Sequence, residues 1–285
     1  MNDDWPTLDR RAVVRSFDAV AERYDQHAVL QQEIGRRLLE RLGWLKITPE
    51  IILDLGAGTG DQALALIKYY RHARVIAMDL SQKMLLQTRR RKYWMRRPSV
   101  VCGDAHQIPV ADTSVDMVFS SVALQWCEGL DRVFAEVRRV LKPGGVFLFS
   151  TFGPDTLKEL RASWASVDNH AHIHPFMDMH DIGDLLLQSG LAEPVMDREE
   201  LTLTYETVRE VMLDLKHIGA NNAIQTRSRG LLGKKRYQSL VSAYEVWRQD
   251  GRLPATYEVI YGNAWGSETR QKGSAVTVPV SSITK

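Results

Sequence analysis

One run constrains this chain more than any other: Ile51-Ile52-Leu53-Asp54-Leu55-Gly56-Ala57-Gly58-Thr59-Gly60. An apolar, β-branched stretch ends in an acid, and three glycines then alternate with small residues. Asp61-Gln62-Ala63-Leu64-Ala65-Leu66-Ile67 follows and reads as the start of a helix. A buried parallel strand accounts for the apolar run, and a tight strand-to-helix turn accounts for the glycines. Glycine has no Cβ, so the backbone there can turn sharply and approach a ligand closely. Two common glycine loops fail residue by residue. The dinucleotide fingerprint G-x-G-x-x-G, begun at Gly56, needs glycine where Asp61 stands, and the phosphate loop needs Lys-Ser/Thr after its last glycine. The pattern present is Asp54-x-Gly56-x-Gly58-x-Gly60.

Four further landmarks follow in order. Arg74-Val75-Ile76-Ala77-Met78 ends in Asp79, about 20 residues past the glycines, where a doubly wound sheet places an acid on ribose hydroxyls. Leu80 to Met84 then opens a helix whose apolar side chains can flank a flat ring. Cys102-Gly103-Asp104-Ala105 puts an acid after a third strand. Ser114 to Ser121 reads as a fourth strand, and Leu141-Lys142-Pro143-Gly144-Gly145 as the turn before a fifth, Val146 to Phe152. Over roughly residues 45–152 these landmarks resemble the class I S-adenosylmethionine-dependent methyltransferases. The resemblance implies an α/β, Rossmann-like fold with a seven-stranded sheet whose last strand is antiparallel. It also implies S-adenosyl-L-methionine as cofactor, bound by Asp54, Gly56, Ala57, Gly58, Gly60, Asp79, Leu80, Met84, Asp104, Ala105 and Ser121. An acid beside the turn suits the ammonium of the cofactor's amino-acid end, and no pyrophosphate needs cradling.

Composition narrows the class. At 285 residues, with 44% hydrophobic and 25% charged side chains, the chain is an ordinary globular one, large enough for a core without staples. Cys102 and Cys127 offer neither a disulfide framework nor zinc spacing, which suits a reducing compartment. No run is long and apolar enough to span a membrane. The start, Met1-Asn2-Asp3-Asp4-Trp5-Pro6, is acidic and lacks the basic and apolar regions of a targeting segment, so the expected location is the cytoplasm. A formal net charge of +2 calls for no nucleic-acid partner.

In chain order, residues 1–44 form a helical cap, 45–206 the cofactor-binding core, 207–252 a helical lid inserted before the last strand, 253–265 the closing strand and 266–285 a flexible tail. Arg10 to Leu42 reads as helical, with apolar residues at helical spacing. Within it, Phe17, Ala21, Tyr24 and Asp25 give an F-x-x-x-A-x-x-Y-D pattern. Small-molecule methyltransferases carry such a helix over the cofactor, and this implies that Tyr24 and Asp25 lie near the active site. The other reading is that Tyr24 anchors a helix to the core. The basic run Arg89 to Arg97 reads either as a solvated face at a helix C-terminus or as a dock for an acidic partner. Ser120 to Cys127 lacks the proline motif of enzymes that methylate nucleobase amines; Gln125 and Trp126 are candidates for the pocket wall, a core Trp126 being the alternative. His170, His172, His174 and His180 invite a metal reading, but Pro175 and the lack of a matching acidic cluster favour a loop, and no metal is expected. Asp178 to Ser189 is an amphipathic helix ending at Gly190. Val208, Val211, Met212, Leu215 and Ile218 share a helix face, broken at Gly219, and a second lid helix carries Leu240, Ala243, Tyr244 and Trp247.

The acceptor is read from segments outside the cofactor core. Ala123-Leu124-Gln125-Trp126, Leu215-Lys216-His217-Ile218-Gly219-Ala220-Asn221 and Gly251-Arg252-Leu253-Pro254-Ala255-Thr256-Tyr257 resemble the malonyl-[acyl-carrier-protein] O-methyltransferases of biotin synthesis. That resemblance implies methylation of the free carboxylate of a malonyl thioester borne on acyl carrier protein; Tyr24 and Asp25, from the N-terminal helix pattern, and Arg161, as a candidate cation, are the expected catalytic residues. A carboxylate is already ionised at neutral pH, so a cation that grips its second oxygen is the main requirement. Arg161, Arg227, Arg229 and Arg252 are candidates. The chain is expected to be a monomer. Phe152-Gly153-x-Asp155-Thr156-Leu157-x-Glu159-Leu160-Arg161 and Leu253 to Tyr257 also resemble a mitochondrial complex I assembly factor that hydroxylates a protein arginine. A methyltransferase of quinones or other small lipophilic acceptors, and a cofactor-binding regulator without activity, complete the alternatives.

Overall fold

A computed structural model of the chain describes residues 7–220, 222–224 and 233–267. Arg227, Arg229, Asn221 and nearly all of the expected tail lie outside the described residues. The cap comprises α1 (Arg10–Val20), α2 (Tyr24–His27) and α3 (Val29–Glu40), with a 3-10 turn over Arg41–Trp44. The alternating core runs β1 (Ile51–Leu55), α4 (Asp61–Tyr69), β2 (Arg74–Asp79), α5 (Gln82–Arg90), β3 (Ser99–Cys102), β4 (Val115–Ser121), α6 (Leu130–Val140) and β5 (Leu141–Phe152). Then come α7 (Lys158–Ala165), α8 (Met179–Gln188), β6 (Leu191–Tyr205), α9 (Val208–His217), α10 (Lys234–Glu245) and β7 (Leu253–Gly266).

The strands form one seven-stranded sheet in the order β3-β2-β1-β4-β5-β7-β6. β1 to β5 pair in parallel, and β7 lies antiparallel between β5 and β6. Strand order reverses between β1 and β4, so a ligand crevice is due at their carboxyl ends. Both sheet faces are covered, as a parallel sheet requires. Ile52, Met117 and Phe119 face a layer containing Ile34, Leu38 and Leu66. Their neighbours Leu53 and Val118 face the opposite layer, where Val133, Phe134 and Val137 of α6 stack. The alternation along each strand is the period of two that pleating imposes.

Three expectations are refined. The continuous helix read over Arg10 to Leu42 is three helices, broken at Ala21–Arg23 and at Ala28. The apolar stripe of α3 (Leu30, Ile34, Leu38) packs on the sheet core, whereas Val13 belongs to a separate small cluster with Ile224 and Ala223. One straight helix cannot serve both. β5 starts at Leu141 rather than Val146: Leu141 pairs with Val115, and a register shift before Met117 absorbs the Gly144 bend. Of the two lid helices only α9 roofs the cavity described below. Leu240 and Tyr244 of α10 are fully buried, and the Tyr244 hydroxyl donates to the Pro254 carbonyl at 2.9 Å, which fixes α10 to the closing strand.

Candidate active site

The turn after β1 is built by glycine for two separate reasons. Gly56, Gly58 and Gly60 have φ of +78°, +54° and +83°, a region that side-chain-bearing residues rarely adopt. A Cβ on Gly56 would also collide with the Ala123 side chain. The turn is braced from the next strand: Asp79 accepts from the Gly58 amide at 2.9 Å and from the Ser81 amide at 2.8 Å. Asp79 thus holds the loop as well as facing the crevice. Gly60 does not line the cavity; it opens α4, with its α-carbon against Thr88.

A cavity of about 450 Å³ opens over this turn. Asp54, Gly56, Ala57, Gly58, Asp79, Leu80, Met84, Asp104, Ala105, Ser121, Tyr24 and Asp25 all line it. Asp54 is 1% exposed, and its Oδ2 has no hydrogen-bond partner. Burial, with the nearby Asp79 charge, pushes its carboxyl up to about 8. Gln31 and Gln62 also line the cavity, each with an unpartnered Oε1. Three shielded oxygens without donors are an arrangement that an ammonium would satisfy. The residues present therefore fit the amino-acid end of S-adenosylmethionine. At the far side Asp104 takes the His106 amide at 3.0 Å and an ion pair from Arg10 at 2.6 Å. Burial would raise its carboxyl, but these partners hold it below the ordinary range.

The cap is tied to the turn by a network that the sequence did not disclose. Asp25 accepts from the Thr59 hydroxyl at 2.5 Å and pairs with Arg91 at 2.5 Å, and Arg91 Nε donates to the Thr59 carbonyl at 2.6 Å. Arg91 is thus a structural member of the basic run, and so is Arg96, whose guanidinium donates to the carbonyls of Ile67, Arg71 and Ala73. Tyr24 is pushed far above the ordinary tyrosine range by burial and then by Asp79 and Asp25. It is a neutral phenol, able to donate and not to act as a base.

The second half of the cavity is apolar and aromatic. Phe152, Leu157, Leu160, Trp164 and Phe176 form its walls, and Met212, Leu215 and Lys216 of α9, with Ile218 just after it, form its roof. Gln125 and Trp126 line it too; Trp126 meets Phe17 edge-on at 5.4 Å and His174 at 5.3 Å. The histidine segment is a loop. His172 stacks on Trp164 at 3.6 Å and bonds Asp168 at 2.8 Å. Among the described residues no group of three His, Cys, Asp or Glu is placed to hold a metal ion.

Arg161 is not brought to the cavity wall. Its guanidinium donates to the carbonyls of Pro154 at 2.7 Å and Thr156 at 2.9 Å. These bonds secure the bend after β5, where Leu157 sits at φ +56°, a conformation that needs outside support in a non-glycine residue. Arg252 is also engaged elsewhere, with Thr204 and Glu206. Among the lining residues that went unpredicted are Gln31 and Gln62: they lie on ordinary helical faces, without a local signal, and only the tertiary fold brings them to the cavity that Asp54 lines.

A family model described as a methyltransferase domain matches residues 53–149. The malonyl-[acyl-carrier protein] O-methyltransferase of Halorhodospira halophila is 53% identical over 265 residues, which cover 92% of this chain and 90% of that one. The chain belongs to the malonyl-[acyl-carrier protein] O-methyltransferase family. Its fold is that of the class I methyltransferases: the YcgJ protein of Bacillus subtilis superposes with a TM-score of 0.60 at 17% identity, over 82% of this chain and 99% of that one. Phosphoethanolamine N-methyltransferase 2 of Haemonchus contortus, solved with S-adenosylhomocysteine, gives a TM-score of 0.51 at 20% identity over 82% of this chain and 52% of that one. The matched domain stops before α7, so much of the apolar half of the cavity lies outside it.

Proposed function

We propose that the protein transfers the methyl group of S-adenosylmethionine to the free carboxylate of a malonyl thioester carried by acyl carrier protein, forming its methyl ester. The observation that carries this is the continuity of one cavity from Asp54 and the glycine turn to an apolar chamber roofed by α9. When bound, S-adenosylmethionine supplies an electrophilic methyl on a sulfonium sulfur. Asp54 and the oxygens of Gln31 and Gln62 would receive the donor's ammonium, Asp79 would meet the ribose hydroxyls, and Leu80, Met84 and Ala105 would flank the ring. The acceptor carboxylate is a nucleophile without help from a base, which agrees with a site whose phenol is held neutral. What the protein must do is align the reacting atoms and strip water from the carboxylate. The walls Phe152, Trp164 and Phe176 would exclude water, and the Tyr24 hydroxyl, which lines the same cavity, would orient an acceptor oxygen. The reaction leaves no proton to dispose of: an oxygen lone pair forms the O–C bond as the C–S pair returns to sulfur.

The test is incubation of the purified protein with methyl-labelled S-adenosylmethionine and malonyl-acyl carrier protein. Base-labile label on the carrier supports the reading. Label on no acceptor, or hydroxylation of a peptide arginine, defeats it.

A further inference from the structure

The acceptor differs from its product by one negative charge, and the sequence assigned recognition of that charge to an arginine. The described candidates are engaged elsewhere: Arg161 donates to main-chain carbonyls and Arg252 to Thr204 on the outer edge of β6. The polar groups of the acceptor chamber are largely engaged as well. The Gln125 amide donates to the Val122 carbonyl at 2.7 Å, the Asn222 amide to the Ala171 carbonyl at 2.8 Å and the Thr156 hydroxyl to the Glu258 carbonyl at 3.1 Å. His172 is held by Asp168. His174 keeps an Nε2 without a partner, but burial presses the ring down to about 4, so it is uncharged at neutral pH and offers no cation. Arg10, which also lines the cavity, is paired with Asp104 at the opposite end.

Among the described lining residues one lysine is left over. Lys216 lines the chamber from the last turn of α9, and no described carboxylate lies within 4.0 Å of its ammonium. It is exposed, so its stem has room to swing while its charge stays hydrated until an anion arrives. We infer that Lys216 is the carboxylate-binding residue of the acceptor site and that it selects the charged malonyl group over the neutral methyl ester. The inference rests on the function proposed above. The ammonium donates to the oxygen that is not methylated, leaving the other free to attack. Once that second oxygen carries a methyl group the acceptor's charge is gone, the charge-assisted bond weakens, and product leaves. A point charge on a flexible stem suits a carboxylate that must be released each cycle better than a bidentate fork does.

The competing role is purely local: a cation in the last turn of a helix offsets the helix dipole. The two are separated by Lys216→Met and Lys216→Arg in the full chain, assayed with malonyl-acyl carrier protein, together with the affinity of each protein for S-adenosylhomocysteine and for the methyl-ester carrier. A lost charge-assisted bond predicts that Lys216→Met raises KM for the malonyl carrier about 10- to 100-fold. Ester affinity and S-adenosylhomocysteine affinity should stay within about threefold, the latter also showing that the site is folded. Lys216→Arg should recover most of the loss. An unchanged KM in Lys216→Met, or a loss that falls equally on malonyl and ester carriers, overturns the assignment while leaving the proposed reaction standing. Failure of the wild type to methylate the malonyl carrier would instead overturn the reaction, and this assignment with it.

Discussion

Asp54 is the residue on which burial and binding pull in opposite directions, and Asp54→Asn separates them. The side chain is 1% exposed and its carboxyl is pushed up to about 8. An unfolded aspartate titrates near 4. Between those two pH values the unfolded chain gives up a proton that folded Asp54 keeps, so the free protein loses stability as pH rises from about 4 to 8. At about 1.4 kcal/mol per unit the ceiling is on the order of 5 kcal/mol, and relaxation with water penetration brings it to about 3 kcal/mol. Asparagine keeps the shape and never ionises. The variant should therefore unfold at higher urea than wild type at pH 8, with the gap closing toward pH 5. Binding should move the other way. The ligand's ammonium favours ionised Asp54, so ligand binding expels a proton and wild-type affinity for S-adenosylhomocysteine should climb between pH 6 and 8. Asp54→Asn should bind about 10- to 100-fold more weakly with a flatter pH profile. Urea titrations at pH 5 and 8, paired with calorimetry in buffers of different ionisation enthalpy, read both effects. A variant no more stable than wild type at pH 8, or a wild-type affinity flat from pH 6 to 8, would refute the reasoning.

Three other perturbations have expected outcomes. Gly56→Ala sets a methyl against Ala123 at φ +78°; it should cost about 1–3 kcal/mol of stability and abolish detectable S-adenosylhomocysteine binding by calorimetry. Arg91→Ala breaks the pair with Asp25 at a partly exposed site, so global stability should fall by no more than about 1 kcal/mol, while hydrogen exchange of α2 should quicken and cofactor affinity drop several-fold. Charge reversal at Arg89, Arg90, Lys234 and Lys235, all exposed, should raise the apparent KM for malonyl-acyl carrier protein without changing turnover of a short malonyl thioester if these positions dock the carrier; equal KM values in the two proteins would end that idea.

The cofactor half was legible because its signals are local. The acid, the three glycines and Asp79 lie in two strand ends and one turn, and backbone geometry dictates residue type at each. Tyr24 and Asp25 were placed near the crevice only through a family pattern; why Asp25 is there became visible when Thr59 and Arg91, 34 and 66 residues away, met it. Arg161 shows the limit. A basic residue after β5 has one appearance in sequence whether it meets a substrate or braces a strained bend, and only the carbonyls of Pro154 and Thr156 decide. Helix α10 carries the same lesson. Leu240 and Tyr244 share an apolar face that suits a lid or a core, and burial against the closing strand made it core. Lys216 lies in a segment on which the family resemblance was read, yet the role proposed for it arises by elimination, once the partners of its neighbours are known.

The fate of the methyl group is the most direct test of the proposed reaction. With labelled S-adenosylmethionine and malonyl-acyl carrier protein, label should appear on the carrier as a methyl ester, be released by mild alkali as methanol, and fail to appear when acetyl-acyl carrier protein, which lacks the free carboxylate, is offered instead. Label that resists alkali, or equal labelling of the acetyl carrier, would contradict it.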